Sequence, residues 1–338
     1  MAASQIGACL TPSSEGQRTL VSKRPLYYEI DGFRLSEPFG VDRFRGAVQY
    51  KPTPDDVFIV TYPKCGTTWL QEICYLIYND GNPPENQLKR LIDTPFLEMI
   101  GPECIAQMKK PGAVKSHLPF DRMPYSPHAK YIYAIRNPKD CVVSFFYHTS
   151  QVYPGYQFAD GTFAEFFDLF MKGQTDFGDY FDHVCSWLRQ RGRENIHFIY
   201  FEDVKKKGSE EILKLGRFLG NDLEAKLKTQ GLLEKVLERS SIKTMKEGLK
   251  DFALNKDDPS LPEGLRAFAE SNEVKTASGS TSALKFDSHL RKGAVNDWRN
   301  LLTPEMNACL EAKIKRIIEP EFPELIEKWR QHGVFEPL

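Results

Sequence analysis

The stretch Val57–Trp69, VFIVTYPKCGTTW, constrains this chain more than any other. It reads as a short buried strand, a turn carrying one basic residue and one glycine, and then the first turn of a helix. Such a junction holds an anion: the first N–H groups of the helix have no intrahelical acceptor, and the positive end of the helix dipole faces the same point. Gly66 permits close backbone approach, Thr67 and Thr68 add hydroxyl donors, and Lys64 brings a mobile charge. The triphosphate loop places lysine after its second glycine and a hydroxyl on magnesium. Here lysine precedes the only glycine and Trp69 closes the run. The motif therefore points to a phosphorylated nucleotide held outside the usual Mg-ATP geometry.

Two further basic motifs support that reading. Tyr131–Ile135, YIYAI, is strand-like and runs through Arg136-Asn137-Pro138-Lys139-Asp140 into a helical segment, CVVSFFYH. Pro138 suits the first position of a helix, where its missing N–H costs nothing. Arg136 at the strand end and Ser144 two turns into the helix can grip a second phosphate. Near the C-terminus, Arg291-Lys292-Gly293 precedes Asn296-Asp297-Trp298. One glycine-bearing loop is weak evidence; three phosphate-suited elements, two at strand–helix junctions, are much stronger.

Composition narrows the class. The chain has 338 residues, 41% of them hydrophobic, enough for a substantial core in one large domain or two ordinary ones. Its formal net charge of −1 argues against general affinity for nucleic acid or anionic membrane, so the basic residues act locally. No run of 18 apolar residues and no apolar signal core is present, and seven cysteines without a C-x-x-C spacing suit reduced thiols. A cytoplasmic enzyme is expected. A kinase would need the triphosphate loop and a magnesium carboxylate; the first is absent and the second has no clear candidate.

VTYPKCGTTW, VKSHLP, YIYAIRNPKDCVVSFFYH and RKGAVNDW together resemble the cytosolic sulfotransferases, in order and over roughly Asp31 to Lys328. The resemblance implies one α/β domain built on a central parallel sheet, with a P-loop-like nucleotide-binding core. It also implies 3′-phosphoadenosine-5′-phosphosulfate (PAPS) as donor and transfer of a sulfuryl group to a small acceptor, without a metal. His117 falls at the position of the family's catalytic histidine and can take the acceptor's hydroxyl proton. Lys64 would stabilise the leaving phosphate, and Lys115 would sit beside the reacting centre. Ser144 would contact the 3′-phosphate and restrain Lys64, completing a clamp with Arg136, Arg291, Lys292 and Gly293. Cys65, Gly66, Thr67 and Thr68 belong to the 5′-phosphate loop. Trp69, Phe201, Ser240, Ile242 and Met245 match stretches that surround the adenine, with a place in the core as the lesser alternative for Trp69. Phe201 replaces the usual tyrosine, so stacking survives there and a hydroxyl bond does not.

Alternating strands and helices indicate a parallel sheet with its ligand beyond the strands' carboxyl ends. Strands are expected near Val57–Thr61, Ala113–Lys115, Tyr131–Arg136 and Ile196–Phe201. Helices are expected over Thr67–Tyr78, Pro138–Thr149, Phe163–Lys172, Tyr180–Gln190, Glu210–Leu219, Leu232–Arg239 and Pro304–Lys313. Residues 1–25 are expected to be disordered, residues 26–338 to form the domain, and Met245 to Asp287 to be a long loop or lid over the site. Phe145, Phe146, Tyr147, His148, Tyr153 and Tyr156 either wall an apolar acceptor pocket or fill the core. The pocket reading favours a phenol, catechol or phenolic monoamine, with a steroid or other lipophilic alcohol as the alternative. Pro304 and Ala308 depart from the family's short dimerisation motif, so a monomer or a non-standard homodimer is expected. Cys65, beside Lys64 at a helix start, is either a quietly packed thiol or a redox- and alkylation-sensitive one.

Overall fold

The computed structural model describes residues 18–229, 231–248, 257, 259, 261–271 and 290–337. Strands β1 (Thr19–Lys23), β2 (Leu26–Ile30) and β3 (Phe33–Leu35) form an antiparallel sheet in that order. Strands β4 (Val57–Thr61), β5 (Ala113–Ser116), β6 (Lys130–Ile135) and β7 (Ile196–Tyr200) form a parallel sheet in the order β5-β4-β6-β7. The central strand β4 is buried at every position, because helices cover both faces. Phe58, Val60, Val114, Tyr131 and Tyr133 enter one core; Val57, Ile59, Ala113, Ile132 and Ala134 enter the other. That double burial is why these strands read as continuous apolar runs rather than as alternating ones.

The smaller core lies under the helices Thr67–Tyr78, Gly208–Leu219 and Leu232–Arg239. The larger one is closed by Pro138–Tyr147, Phe163–Met171, Tyr180–Leu188, Pro304–Ile317 and Pro323–Gln331. Several helix starts in the larger layer carry a recognisable device. Asn137 caps its helix by accepting the Asp140 N–H, with Pro138 at the first position, and Thr162 with Glu165 makes a reciprocal capping box. Among the described residues, no helix is long and apolar enough to cross a membrane.

Three expectations need correction. Strand β1 lies inside the span expected to be disordered, because Arg18–Lys23 pairs with β2 from Thr19 onward; residues 1–17 lie outside the described residues. The helix from Pro138 ends at Tyr147 and passes into a π-helical turn over His148–Val152, which re-aims the aromatic residues that follow. The expected lid contains the helices Ile242–Gly248 and Glu263–Ser271; the latter has an apolar face on which Leu265 is buried. Apart from residues 257, 259, 261 and 262, the remainder of that span lies outside the described residues.

Candidate active site

Beyond the carboxyl ends of the parallel strands lies a cavity of about 300 Å³. Chain turns after β4 and β6 build its donor half. After β4 the backbone enters the left-handed region at Lys64 (φ 69°) and Gly66 (φ 98°), then starts the Thr67–Tyr78 helix. Gly66 is required twice over, since a Cβ there would also meet the Phe201 ring at 2.9 Å. Thr67 and Thr68 line the cavity at the helix start. The Thr67 hydroxyl is bonded to Thr61 Oγ1 at 2.7 Å, which ties the turn to the strand.

Arg136, buried at the end of β6, fastens three parts of the site. It donates to the Lys64 carbonyl (3.1 Å) and to the Ala294 carbonyl (3.0 Å), and its guanidinium lies 4.4 Å from the Phe201 ring centre. Arg291 stacks over Tyr147 at 4.5 Å and bonds to Asp297, which also holds Lys292 at 2.7 Å. Gly293 has φ 59°, and a Cβ there would press into Ile242. Asn296 adopts the left-handed conformation (φ 63°), which asparagine tolerates better than most residues.

Lys64, Lys115, Arg136, Lys205, Arg291 and Lys292 thus face one cavity. Burial, and then the charges of Lys115 and Arg136, push Lys64 down to about 7. The Nε–H groups of Arg136 and Arg291 are buried without an acceptor among the described residues. Crowded cations and orphaned donors are what an anionic ligand would satisfy, so the residues present fit a nucleotide carrying two phosphate ends. Trp69 and Phe201 meet edge to face at 5.4 Å, with Lys205 4.9 Å from the Trp69 ring centre. Ile242 and Met245 complete that wall. Ser240 does not line the cavity: it is buried at the end of the Leu232–Arg239 helix, where its N–H bonds to Val236.

His117 follows β5 and is 6% exposed. Its Nδ1 lies 2.7 Å from the Thr61 carbonyl, so Nδ1 carries the proton and Nε2 is left as the basic nitrogen. Burial and the charge on Lys115 hold the imidazole well below its ordinary pKa, hence neutral. Phe96 and Phe177 meet the ring edge-on at 5.1 and 5.2 Å. Two groups that sequence reasoning left aside brace it. Glu98 accepts from the His117 N–H (2.8 Å) and the Ser116 hydroxyl (2.6 Å), with burial pushing its carboxyl up to about 7. His183 donates from Nε2 to the His117 carbonyl (3.0 Å) while its Nδ1 accepts from Tyr133 (2.8 Å). Lys115 lies 4.1 Å from the Phe96 ring centre and lines the same cavity.

The aromatic run divides. Phe145, His148, Tyr153 and Tyr156 line the cavity, as does Ser144. Phe146 and Tyr147 do not: Phe146 packs on Phe163 and Phe166, and Tyr147 lies beneath Arg291. Helical spacing accounts for this, because consecutive residues point about 100° apart. The rest of the acceptor wall comes from segments carrying no motif: Ser36, Phe39, Phe96, Met99, Asp176, Phe177 and Leu265. Cys65 also turns away. Its sulfur is 3.8 Å from Cys141 Sγ and 3.9 Å from the Pro63 carbonyl, in the core, which favours the packed thiol over the reactive one.

Residues 54–256 match the family model described as the sulfotransferase domain. The chain is 31% identical over 303 residues to human sulfotransferase 1C2, covering 86% of this chain and 92% of that protein. It is 39% identical over 210 residues to mouse sulfotransferase 1 family member D1, covering 59% and 68% respectively. Its fold matches the crystal structure of mouse sulfotransferase SULT7A1 complexed with PAP with a TM-score of 0.70 and 26% identity, over 91% of this chain and 99% of that one. A glycine-bearing basic turn after β4, an arginine at the end of β6 and a neutral histidine after β5 occur here in a chain so matched: it is a sulfotransferase and belongs to the cytosolic sulfotransferase family.

Proposed function

We propose that this sulfotransferase takes its sulfuryl group from PAPS and passes it to the hydroxyl of a phenol, catechol or phenolic monoamine. The observation that carries this reading is the single cavity shared by Lys64 and His117, walled on the acceptor side by Phe39, Phe96, Phe145 and Phe177. A wall of aromatic side chains suits an aromatic ring. The acceptor oxygen attacks sulfur as His117 Nε2 takes its proton. The bridging sulfur–oxygen bond breaks, and its electron pair leaves on the 5′-phosphate beside Lys64. The 3′-phosphate rests with Arg136, Ser144, Arg291, Lys292 and the Gly293 N–H. Lysine and arginine supply the charge that magnesium supplies in kinases, so no metal is required.

A steroid or other lipophilic alcohol is the second reading, favoured by Met99, Ile100 and Leu265 in the same wall. The test is to incubate the purified protein with labelled PAPS, with and without chelator, against phenols, phenolic amines, steroids and aliphatic alcohols. Transfer to phenols that persists in chelator is expected. Transfer confined to steroids or alcohols would replace the acceptor reading, and loss in chelator restored by magnesium would overturn the metal-free one.

A further inference from the structure

Among the described residues that line the cavity, Asp176 is the one carboxylic acid, against seven lysines and arginines, of which Arg90 is paired with Glu72 outside the lining. It is 2% exposed. Its Oδ2 accepts the Tyr156 hydroxyl at 2.7 Å, with the Ser36 hydroxyl alongside, while Oδ1 takes no hydrogen bond from any described residue. Its partners are thus neutral hydroxyls. A buried carboxylate without a cation is costly and calls for a partner.

The backbone around it is held in place rather than relaxed. Phe177 has φ 61°, unusual for a bulky residue, and Gly178 follows at 78°. The turn is pinned from three sides. The Phe177 N–H donates to the Arg34 carbonyl (3.0 Å), Arg34 donates to the Gln174 carbonyl (2.6 Å), and Tyr62 bonds to both Thr175 Oγ1 (2.8 Å) and the Gly178 carbonyl (3.1 Å). This strained, over-determined turn sets the Phe177 ring against His117 and, one residue earlier, places Asp176 on the same cavity.

We propose that Asp176 determines acceptor specificity, selecting acceptors that carry an organic ammonium group away from the hydroxyl to be sulfonated. The proposal rests on the phenol reading above and narrows it to phenolic amines. An ammonium supplies both the missing donor for Oδ1 and the missing charge, whereas a second hydroxyl supplies the donor alone. Burial pushes the Asp176 carboxyl up to about 6, so it is ionised at neutral pH and ready for a cation.

The test compares three phenols of matched size: tyramine (ammonium), tyrosol (hydroxyl) and 4-ethylphenol (neither). Both kcat/KM and dissociation constants on the enzyme–PAP complex are measured. Wild type is expected to favour tyramine over each of the others by about tenfold or more. Asp176→Asn keeps an oxygen for Tyr156 but loses the charge, and should collapse that ratio. Tyr156→Phe removes the bond to Oδ2 and should keep the preference, with PAP binding reporting that each variant is folded. A ratio unchanged in Asp176→Asn, or tyrosol equal to tyramine in wild type, would overturn the assignment. No turnover of any phenol, with amine preference kept in the binding measurement, would sink the phenol reading and leave the Asp176 assignment standing.

Discussion

At the scale of single residues, the proposed chemistry uses a neutral His117 and a Lys64 that burial and neighbouring cations leave only partly charged in the free protein. His117→Ala should lower turnover by roughly 10²–10⁴-fold while leaving PAP affinity nearly intact. Loss of PAP binding with unchanged transfer would contradict the role given to it. Lys64 sits near 7 in the free protein because burial and neighbouring cations disfavour its charge, and a polyanion reverses that imbalance. Between about 7 and the raised value in the complex, binding takes up a proton, so affinity weakens as pH rises, by at most about tenfold per unit for one proton. Lys115, held down to about 8 by burial, acts in the same direction, so the discriminating arm is Lys64→Met, which should flatten the profile between pH 7 and 8. Titration calorimetry in buffers of different ionisation enthalpy would detect the proton; a flat profile in wild type would refute the account. Lys64, Arg136 and the Arg291–Gly293 turn were legible as candidates because phosphate chemistry favours basic residues beside glycine, and His117 because its motif resembles the family's; all four line the same cavity. Asp176 was not, because QTDFGD reads as an ordinary surface turn until the fold buries it. Cys65 was legible only as a loop position, since which way a side chain faces at a turn depends on the backbone angles there.

At the scale of elements, strands β4, β6 and β7 and the helices Thr67–Tyr78, Pro138–Tyr147 and Gly208–Leu219 follow from the sequence to within two residues, whereas the helix Phe201–Lys206, directly after β7, does not, its first residue being read as the end of the strand. Burial on both faces writes a strand as an uninterrupted apolar run, and Asn137–Pro138 and Thr162 mark helix starts. The antiparallel sheet escaped because TLVSK and FRL are short and partly exposed, and Leu26–Ile30 buries two of its five residues fully. The helix Glu263–Ser271 escaped because glycine, proline and charge surround it. That helix closes the acceptor wall through Leu265, and it crosses the Leu97–Ile100 helix at Gly264. A Cβ at Gly264 would collide with the Ile100 carbonyl. Gly264→Ala is therefore expected to shift the helix and raise the acceptor KM several-fold, at a cost of about 1–3 kcal/mol in stability, without changing PAP affinity. An equal loss of PAP binding would show that the two halves of the cavity are not separable in this way.

At the scale of the whole molecule, the segment Arg299–Ala308 is engaged within its own chain. Arg299 lies 4.6 Å from the Trp298 ring centre and reaches Gly333 and Glu336, while Pro304 opens a helix capped by Thr303. We expect a monomer in solution by light scattering across micromolar concentrations, or a dimer whose crosslinks avoid this segment; a map pairing Arg299–Ala308 with its own copy would overturn that. The two turns proposed to grip phosphate follow β4 and β6, which are hydrogen-bonded neighbours, so both ride on one stiff platform. The acceptor wall, by contrast, is assembled from Ser36, Phe39, Phe96, Asp176 and Leu265, contributed by separate loops and short helices. Mutational drift in those pieces leaves the platform's hydrogen-bond ladder untouched. A lineage carrying this chain can therefore change which compound it modifies in small steps while its hold on the activated sulfate is inherited unaltered.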